Sequence, residues 1–137
     1  KATLHLTRDI RECEKQFRRC IFNVFSHNRD DHAKNFSFLM DQEGAWRISP
    51  AYDLTFSSGP SGEHCTMIMG EGKNPGTPQL LQLANRFDIT KNTALSIIDE
   101  VKASVNNWPF FAEQAQMSQH AKQIIHSTIQ KILKENM

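Results

Sequence analysis

A dense run of polar side chains near residue 30 contains the groups best suited to chemistry. The run spans residues 28–35 (NRDDHAKN), and the apolar segment 36–40 (FSFLM) follows it at once. A carboxylate such as that of Asp30 can accept a proton as a general base, and an amide oxygen such as that of Asn35 can bind a hard divalent cation. A polar loop that leads directly into a strand holds such groups on a rigid edge. The run is therefore the first candidate for a functional site.

The spacing of residues within the run favours one particular kind of reaction. Asp30 follows Arg29, and four residues separate Asp30 from Asn35. The same spacing forms half of the catalytic loop of kinases, in which the aspartate accepts the proton of the substrate hydroxyl and the asparagine holds a metal ion. Short patterns of this kind also arise by chance, and the alternative is a solvated turn rich in Asn and Asp.

A second acid, Asp53, follows in residues 50–54 (PAYDL). Magnesium in phosphoryl-transfer sites usually takes one or two carboxylates together with phosphates and water. A hairpin that starts right after Asn35 would return the chain to the polar loop and place Asp53 beside it. Asp30, Asn35 and Asp53 are thus the predicted catalytic and metal-binding set, and the alternative is an unrelated aspartate after Pro50.

The hydrophobic periodicity predicts the elements that position these residues. It indicates a mainly α-helical fold with a small β-hairpin inserted after the first long helix. Gly44 is available for the positive φ of the hairpin turn, and residues 55–76 read as loop with one short strand. The predicted elements are a helix from 7 to about 26 capped by Thr7 or Asp9, strands at 36–40, 45–48 and 65–69, and helices at 79–86, after the cap Thr90, at 110–116 and after the cap Ser118.

Composition places the chain among ordinary globular domains. It has 137 residues, of which 39% are hydrophobic and 23% charged, and its net charge is +1. The near-neutral balance gives no case for direct contact with nucleic acid, and no apolar run approaches the roughly 20 residues that span a membrane. The three cysteines are an odd number without close pairing, which fits a reducing compartment and predicts a cytoplasmic protein.

Two segments together resemble a known family. Residues 30–39 (DDHAKNFSFL) and 46–54 (WRISPAYDL) are similar to the HipA family of serine/threonine kinases, which are bacterial toxins of toxin–antitoxin systems. The resemblance implies that Asp30 is the catalytic base and that Asn35 and Asp53 bind magnesium. Asp53 would stand where other kinases have the aspartate of the D-F-G tripeptide. ATP and Mg²⁺ are the cofactors that the resemblance implies for the complete kinase.

One departure from the kinase pattern limits what the chain can do by itself. A kinase needs a glycine-rich loop, a strand lysine and a helix glutamate upstream of its catalytic loop. Only 29 residues precede Asp30, and none is glycine. We therefore expect residues 1–137 to form the C-terminal, catalytic-loop-bearing domain, with the nucleotide-gripping N-terminal lobe absent and the isolated fragment inactive.

The predicted partners are that missing lobe, a protein substrate and a DNA-binding antitoxin. The alternative function is a non-catalytic interaction module that docks an antitoxin. A metal-dependent hydrolase would use similar ligands and is a third class.

Several residues near the predicted site have open roles. Lys34 could neutralise a transferred phosphate or point to solvent, and His32 is a second candidate for cofactor binding, although a structural hydrogen-bonding role is favoured for it over a zinc site. Asp31 is an alternative base, but the spacing to Asn35 selects Asp30. Residues 70–73 (GEGK) lack the Gly-Lys-Ser/Thr ending of a phosphate-binding loop and are predicted to be a flexible loop.

Overall fold

The computed structural model describes residues 1–136 and confirms the predicted fold class, since it is mainly α-helical with one small antiparallel hairpin. Single turns of 3-10 helix lie at Ala33–Asn35 and Pro60–Gly62. The regular elements are α1 Ala2–Thr7, α2 Ile10–Phe25, β1 Phe38–Met40, β2 Trp46–Ile48, α3 Thr77–Arg86, α4 Lys91–Asn106, α5 Trp108–Gln114 and α6 Gln119–Glu135.

The first long helix begins later than predicted. Asp9 is its N-cap, and its side chain accepts a hydrogen bond of 2.9 Å from the backbone N–H of Arg11. Of the two predicted caps, Asp9 is confirmed and Thr7 was wrong, because Arg8 adopts a left-handed conformation (φ 53°) that separates α2 from the short helix α1. A run of apolar residues cannot reveal such a break, since the periodicity continues on both sides of it.

The helices surround one hydrophobic core below the polar loop. The helix α2 packs mainly against α4, and α3 and α6 pack against α4 on the other sides. Burial of each large apolar side chain contributes about 1.5–3 kcal/mol, so this cluster supplies most of the stabilisation. Its most deeply buried apolar members are Phe25, Ile21, Leu80, Ile98 and Ile129.

The hairpin forms where the sequence predicts it, with shorter strands. Phe38 pairs with Ile48, and Met40 pairs with Trp46. In the turn, the Asp41 carboxylate accepts hydrogen bonds from two backbone N–H groups, and Gly44 has φ 83° as predicted. The buried carboxylate of Glu12 in α2 accepts a hydrogen bond of 2.8 Å from the N–H of Ile48, which attaches the hairpin to the core helix.

Residues 55–76 contain no regular strand. The predicted strand at 65–69 is absent, because Met69 and Gly70 both have positive φ and the chain turns back so that Ile68 and Glu71 exchange two backbone hydrogen bonds. This part of the chain is attached to the polar loop instead, through a parallel bridge between Asn28 and Ser57.

The C-terminal helices follow the predicted caps. The hydroxyl of Thr90 accepts a hydrogen bond from the N–H of Thr93, and that of Ser118 accepts one from Ala121. The helix α5 begins at Trp108, two residues before the predicted start, because Pro109 sits in its first turn. Within the described residues 1–136, no helix is both long enough and apolar enough to cross a bilayer.

Candidate functional site

The carboxylate of Asp30 stands at the surface of the polar loop and is largely uncommitted. Its side chain is 51% exposed. Its nearest polar neighbours are Nε2 of His32 at 3.8 Å, beyond hydrogen-bond length, and the Cys65 thiol, which donates a long, weak hydrogen bond to Oδ1 at 3.9 Å. No lysine or arginine among residues 1–136 forms an ion pair with it. The Asp30 carboxylate is therefore free to accept a proton from an approaching group.

The residues on either side of Asp30 are committed to structure. The Asp31 side chain is 5% exposed, and its two carboxylate oxygens meet Nδ1 of His64 at 3.1 Å and the N–H of Thr66 at 3.0 Å. The guanidinium of Arg29 donates hydrogen bonds to the carbonyl oxygens of Gly62 and Lys73. Because neighbouring side chains of an extended chain alternate in direction, residues 29 and 31 face inward and Asp30 faces outward.

Asn35 is held directly against Asp30. It ends the 3-10 turn Ala33–Asn35, and its side-chain Nδ2 donates a hydrogen bond of 3.0 Å to the backbone carbonyl of Asp30. An amide that donates through its nitrogen keeps its oxygen available as an acceptor or a metal ligand. No protein donor in the described part of the chain reaches that oxygen. The structure thus brings these two predicted residues together.

Asp53 is attached to the same loop through its backbone. The carbonyl of Asp53 accepts a hydrogen bond of 3.4 Å from Nδ2 of Asn28, which is 2% exposed and also donates to Asn23 at 3.0 Å. Asp53 has φ 54°, a left-handed conformation that Asp adopts more readily than most residues and that is frequent at functional sites. The residue is exposed, and no hydrogen bond or ion pair within residues 1–136 engages its carboxylate.

A second hydrogen bond ties the segment before Asp53 to the loop. The hydroxyl of Tyr52 donates to the backbone carbonyl of Lys34 at 2.8 Å. Together with the Asn28–Asp53 contact, it connects both ends of the polar loop to the chain that leaves the hairpin. The hairpin therefore performs the return of the chain that the sequence predicted.

The residues present fit a hard divalent cation by the chemistry of their donors. Asn35 and Asp53 supply oxygen atoms without protein partners, and magnesium prefers oxygen ligands that leave room for phosphates and water. No group of three or more His, Cys, Asp or Glu side chains suited to a metal ion occurs among residues 1–136. A cation at this loop would therefore take its protein ligands from Asn35 and Asp53 and its remaining ligands from a bound nucleotide and water.

The two predicted cofactor-binding residues differ in their surroundings. The Lys34 side chain is exposed and makes no ion pair in the described part of the chain. Nε2 of His32 lies 3.8 Å from the Asp30 carboxylate, while its Nδ1 is buried without a hydrogen-bond partner in the described residues. Nδ1 of His64 is engaged by the Asp31 carboxylate at 3.1 Å.

Burial and charge shift two titratable groups beside the loop. Burial, helped by the charges of Arg29 and His64, lowers the pKa of His27 to about 4, so its imidazole is neutral at physiological pH. Burial, followed by the nearby carboxylates of Asp30 and Asp31, raises the pKa of the Cys65 thiol. The thiol next to Asp30 therefore stays protonated and is a poor nucleophile.

Sequence reasoning missed several residues that build the site. Asn28, His64 and Thr66 hold the loop and were given no role in it. Only Asn28 offered a signal, because it begins the polar run and precedes the Arg-Asp pair.

The chain is a mainly helical domain with a polar loop that carries Asp30 and Asn35. A hairpin follows this loop and returns the chain to it at Asp53. The sequence model of the HipA-like C-terminal domain matches residues 1–109, which include every candidate site residue. The chain therefore belongs to the family of HipA-like C-terminal domains. The family is associated with kinase activity and with toxin–antitoxin systems. The match ends within α5 and does not include α6. A comparison with curated proteins gave no match.

Proposed function

We propose that this chain is the C-terminal lobe of a serine/threonine protein kinase, with Asp30 as its catalytic base. The observation that carries the proposal is the exposed carboxylate of Asp30, which makes only long polar contacts within residues 1–136. Hydrogen bonds meanwhile hold its backbone carbonyl to Asn35 and the side chains of Arg29 and Asp31 to the protein. Asp31 is a poorer candidate for the base, because its two carboxylate oxygens already accept hydrogen bonds inside the protein. The choice of Asp30 over Asp31 thus agrees with the sequence spacing.

In the proposed reaction the substrate hydroxyl gives its proton to Asp30. The hydroxyl oxygen forms a bond to the γ-phosphorus of ATP while the bond from that phosphorus to the bridging oxygen of ADP breaks. General-base help of this kind is worth about 10²- to 10⁴-fold in rate. Asp30 suits the role because its carboxylate is open to an incoming side chain.

Asn35 and Asp53 are the proposed ligands of magnesium. Magnesium would neutralise charge on the phosphates when bound. The chain's own part is to hold the backbone at these residues: the Asn35 amide donates to the carbonyl of Asp30, and the backbone carbonyl of Asp53 accepts from Asn28. Lys34, which is exposed beside them, is proposed to face the transferred phosphate, and His32 to line the same space.

The isolated chain is expected to be inactive. Kinases bind their nucleotide with a glycine-rich loop and a strand lysine, and residues 1–29 contain no glycine. We propose that an N-terminal lobe supplies both and that a DNA-binding antitoxin regulates the complete protein in the cytoplasm. Robust ATP-dependent phosphorylation by residues 1–137 alone would contradict this expectation.

The test is phosphoryl transfer from radiolabelled ATP to protein by the full-length protein that contains this domain. The variant Asp30→Asn, which keeps the size of the side chain, should lower kcat by about 10²- to 10⁴-fold. The matched control is Asp99→Asn, because Asp99 is exposed on α4 and has no part in the site. Equal activity of wild type and Asp30→Asn would refute the assignment of the base.

The alternative functions give different results in the same assay. Binding of an antitoxin without any phosphoryl transfer would identify an interaction module. Release of inorganic phosphate without a phosphorylated protein would identify a hydrolase.

A further inference from the structure

The carboxylate of Asp31 is buried although its neighbour Asp30 is exposed. The Asp31 side chain is 5% exposed, whereas that of Asp30 is 51% exposed. Burying a carboxylate is unfavourable unless it is paired and hydrogen-bonded. The partners of Asp31 therefore indicate what the residue does.

All of these partners come from one short stretch, residues 64–66. Nδ1 of His64 lies 3.1 Å from one carboxylate oxygen, and the N–H of Thr66 donates to the other at 3.0 Å. The hydroxyl of Thr66 also donates to the backbone carbonyl of Asp31 at 2.5 Å. The His64 side chain is 2% exposed, so water does not compete for this contact.

The same stretch also holds the main chain on the other side of Asp30. The N–H of Cys65 donates to the carbonyl of Arg29 at 3.0 Å, and the carbonyl of Asp30 itself accepts the Asn35 amide. Hydrogen bonds thus fix the carbonyl groups of three successive residues, 29, 30 and 31. The backbone position of Asp30 is set by contacts that its own carboxylate does not make.

We propose that Asp31 and His64 are positioning residues that direct the Asp30 carboxylate toward the substrate hydroxyl. The inference rests on the proposed function, because it requires a reaction in which the placement of that carboxylate matters. Neither residue touches the substrate. A misplacement of about 1 Å at a reacting group lowers rates by about 100-fold, so loss of the Asp31–His64 contact is expected to act on kcat.

The contact also joins the polar loop to a second segment. Residues 57–73, here called the downstream segment, follow Asp53 and precede α3, and they contact the loop at Ser57, Gly62, Cys65 and Lys73. These four contacts reach Arg29, whereas those of His64 and Thr66 reach Asp31, so the downstream segment is joined to the loop on both sides of Asp30.

The first test measures hydrogen exchange on residues 1–137 and needs no activity. In Asp31→Asn the side chain keeps its volume and loses its charge. The substituted amide still offers one neutral acceptor to Thr66, so about half of the roughly 1.5–3 kcal/mol of a hydrogen bond to a charged group is lost. Amide exchange at Cys65 and Thr66 is therefore expected to rise by about 3- to 10-fold. Exchange in α4 should not change. Unchanged exchange at Thr66 would overturn the proposed contact.

The second test measures kinetics on the full-length protein. Asp31→Asn is expected to lower kcat by about 10- to 100-fold while the KM for ATP stays within about twofold. His64→Asn, whose amide keeps a donor near the position of Nδ1, should retain most of kcat, and His64→Phe should not. Thr128→Val is the control, because it removes a hydroxyl hydrogen bond in α6, far from the loop in sequence.

The results separate this inference from the proposed function. Wild-type protein without phosphoryl transfer refutes the proposed function. The positioning role alone is refuted if wild type is active and Asp30→Asn is inactive, but Asp31→Asn keeps a kcat within about twofold of wild type. If Asp31→Asn does not fold, Thr66→Val decides, because loss of its hydrogen bond to the Asp31 carbonyl is expected to lower kcat about threefold or more.

Discussion

Glu12 is the buried acid that connects the core helix α2 to the hairpin. It is 6% exposed, and its carboxylate accepts a hydrogen bond of 2.8 Å from the N–H of Ile48 and a second one from the ammonium group of Lys15. Replacing it by alanine would leave the Ile48 N–H buried without a partner. Since the hairpin delivers Asp53 to the polar loop, we expect this change to weaken both the fold and the site.

The size of the effect follows from the two contacts. A hydrogen bond to a charged group is worth about 1.5–3 kcal/mol, and an ion pair with a lysine as exposed as Lys15 adds about 0.2–1 kcal/mol. Glu12→Ala should therefore lower the free energy of unfolding by about 2–4 kcal/mol. For a chain of this length, that corresponds to a fall in Tm of roughly 6–16 °C. Glu12→Gln keeps an acceptor for Ile48 and should lose about half as much.

The dependence on pH identifies the cause. Burial alone would raise the pKa of Glu12, but the hydrogen bonds from Lys15 and Ile48 and the charge of Lys15 together hold it below its usual value of 4.5. A carboxyl whose pKa is lower in the folded state stabilises the protein above the unfolded pKa and loses this contribution as pH falls. The difference in stability between wild type and Glu12→Gln should therefore be constant above about pH 5 and shrink below pH 4.5.

The assay is urea unfolding followed by circular dichroism at several pH values. The matched control is Glu14→Gln, because Glu14 lies on the same helix and accepts no hydrogen bond in the described residues. The reasoning is refuted if Glu12→Ala costs less than about 0.5 kcal/mol, the range of an ordinary surface substitution. It also fails if the gap between wild type and Glu12→Gln is the same at pH 3 and pH 7.

Two further predictions concern the polar loop. Burial and the charges of Arg29 and His64 lower the pKa of His27 to about 4, so the free energy of unfolding should fall as pH drops from about 6.5 to 4 and level off below. In urea unfolding, His27→Gln should remove this dependence of stability on pH. An unchanged pH dependence would contradict the assignment to His27. Gly59 has φ 69° and ψ 167°, and a Cβ there would lie 2.7 Å from the Cβ of Arg29. Gly59→Ala should therefore lower the free energy of unfolding by more than the roughly 1–3 kcal/mol expected from backbone strain alone. Gly62→Ala is its control in thermal unfolding, since a Cβ there meets no atom within 4 Å, and equal losses from the two variants would argue against the steric clash.

Much of the fold could be predicted because the signals that define it are local. The caps Asp9, Thr90 and Ser118 and the turn glycine Gly44 are each recognisable within four residues of the element they bound. The break at Arg8 was not predictable in the same way. Its left-handed conformation depends on how α1 packs against α2, and nothing in the sequence around it demands a turn.

The candidate site was predictable only in part. The spacing from Asp30 to Asn35 lies within one loop, and in the structure the Asn35 amide donates a hydrogen bond to the backbone carbonyl of Asp30. The roles of Asp30, Asn35 and Asp53 in catalysis and metal binding stay predictions. The prediction of a short strand at 65–69 was wrong, because the chain reverses at Met69 and Gly70. A run of apolar residues with high β-propensity does not exclude such a turn.

The polar residues that hold the loop share one property that hides them from sequence reasoning. Glu12 meets Ile48 across 36 positions, Asp31 meets His64 across 33, and Arg29 reaches Lys73 across 44. Each pair joins an acid or a base to a backbone group or a histidine, which are combinations that occur throughout any sequence. Periodicity and motif spacing detect what neighbours in the chain do, so long-range polar contacts of this kind appear only in three dimensions.

These contacts explain how an exposed carboxylate can keep one direction. A loop with seven charged or polar side chains in eight residues would gain solvation by moving freely. Here the Arg29 guanidinium and the buried Asp31 carboxylate are both hydrogen-bonded to the downstream segment, so the chain between them has little freedom left. Asp30 then combines a fixed backbone with an exposed carboxylate, which is the combination that the proposed general base needs. Anchoring on both sides of Asp30 is thus what holds the backbone of the candidate site in place.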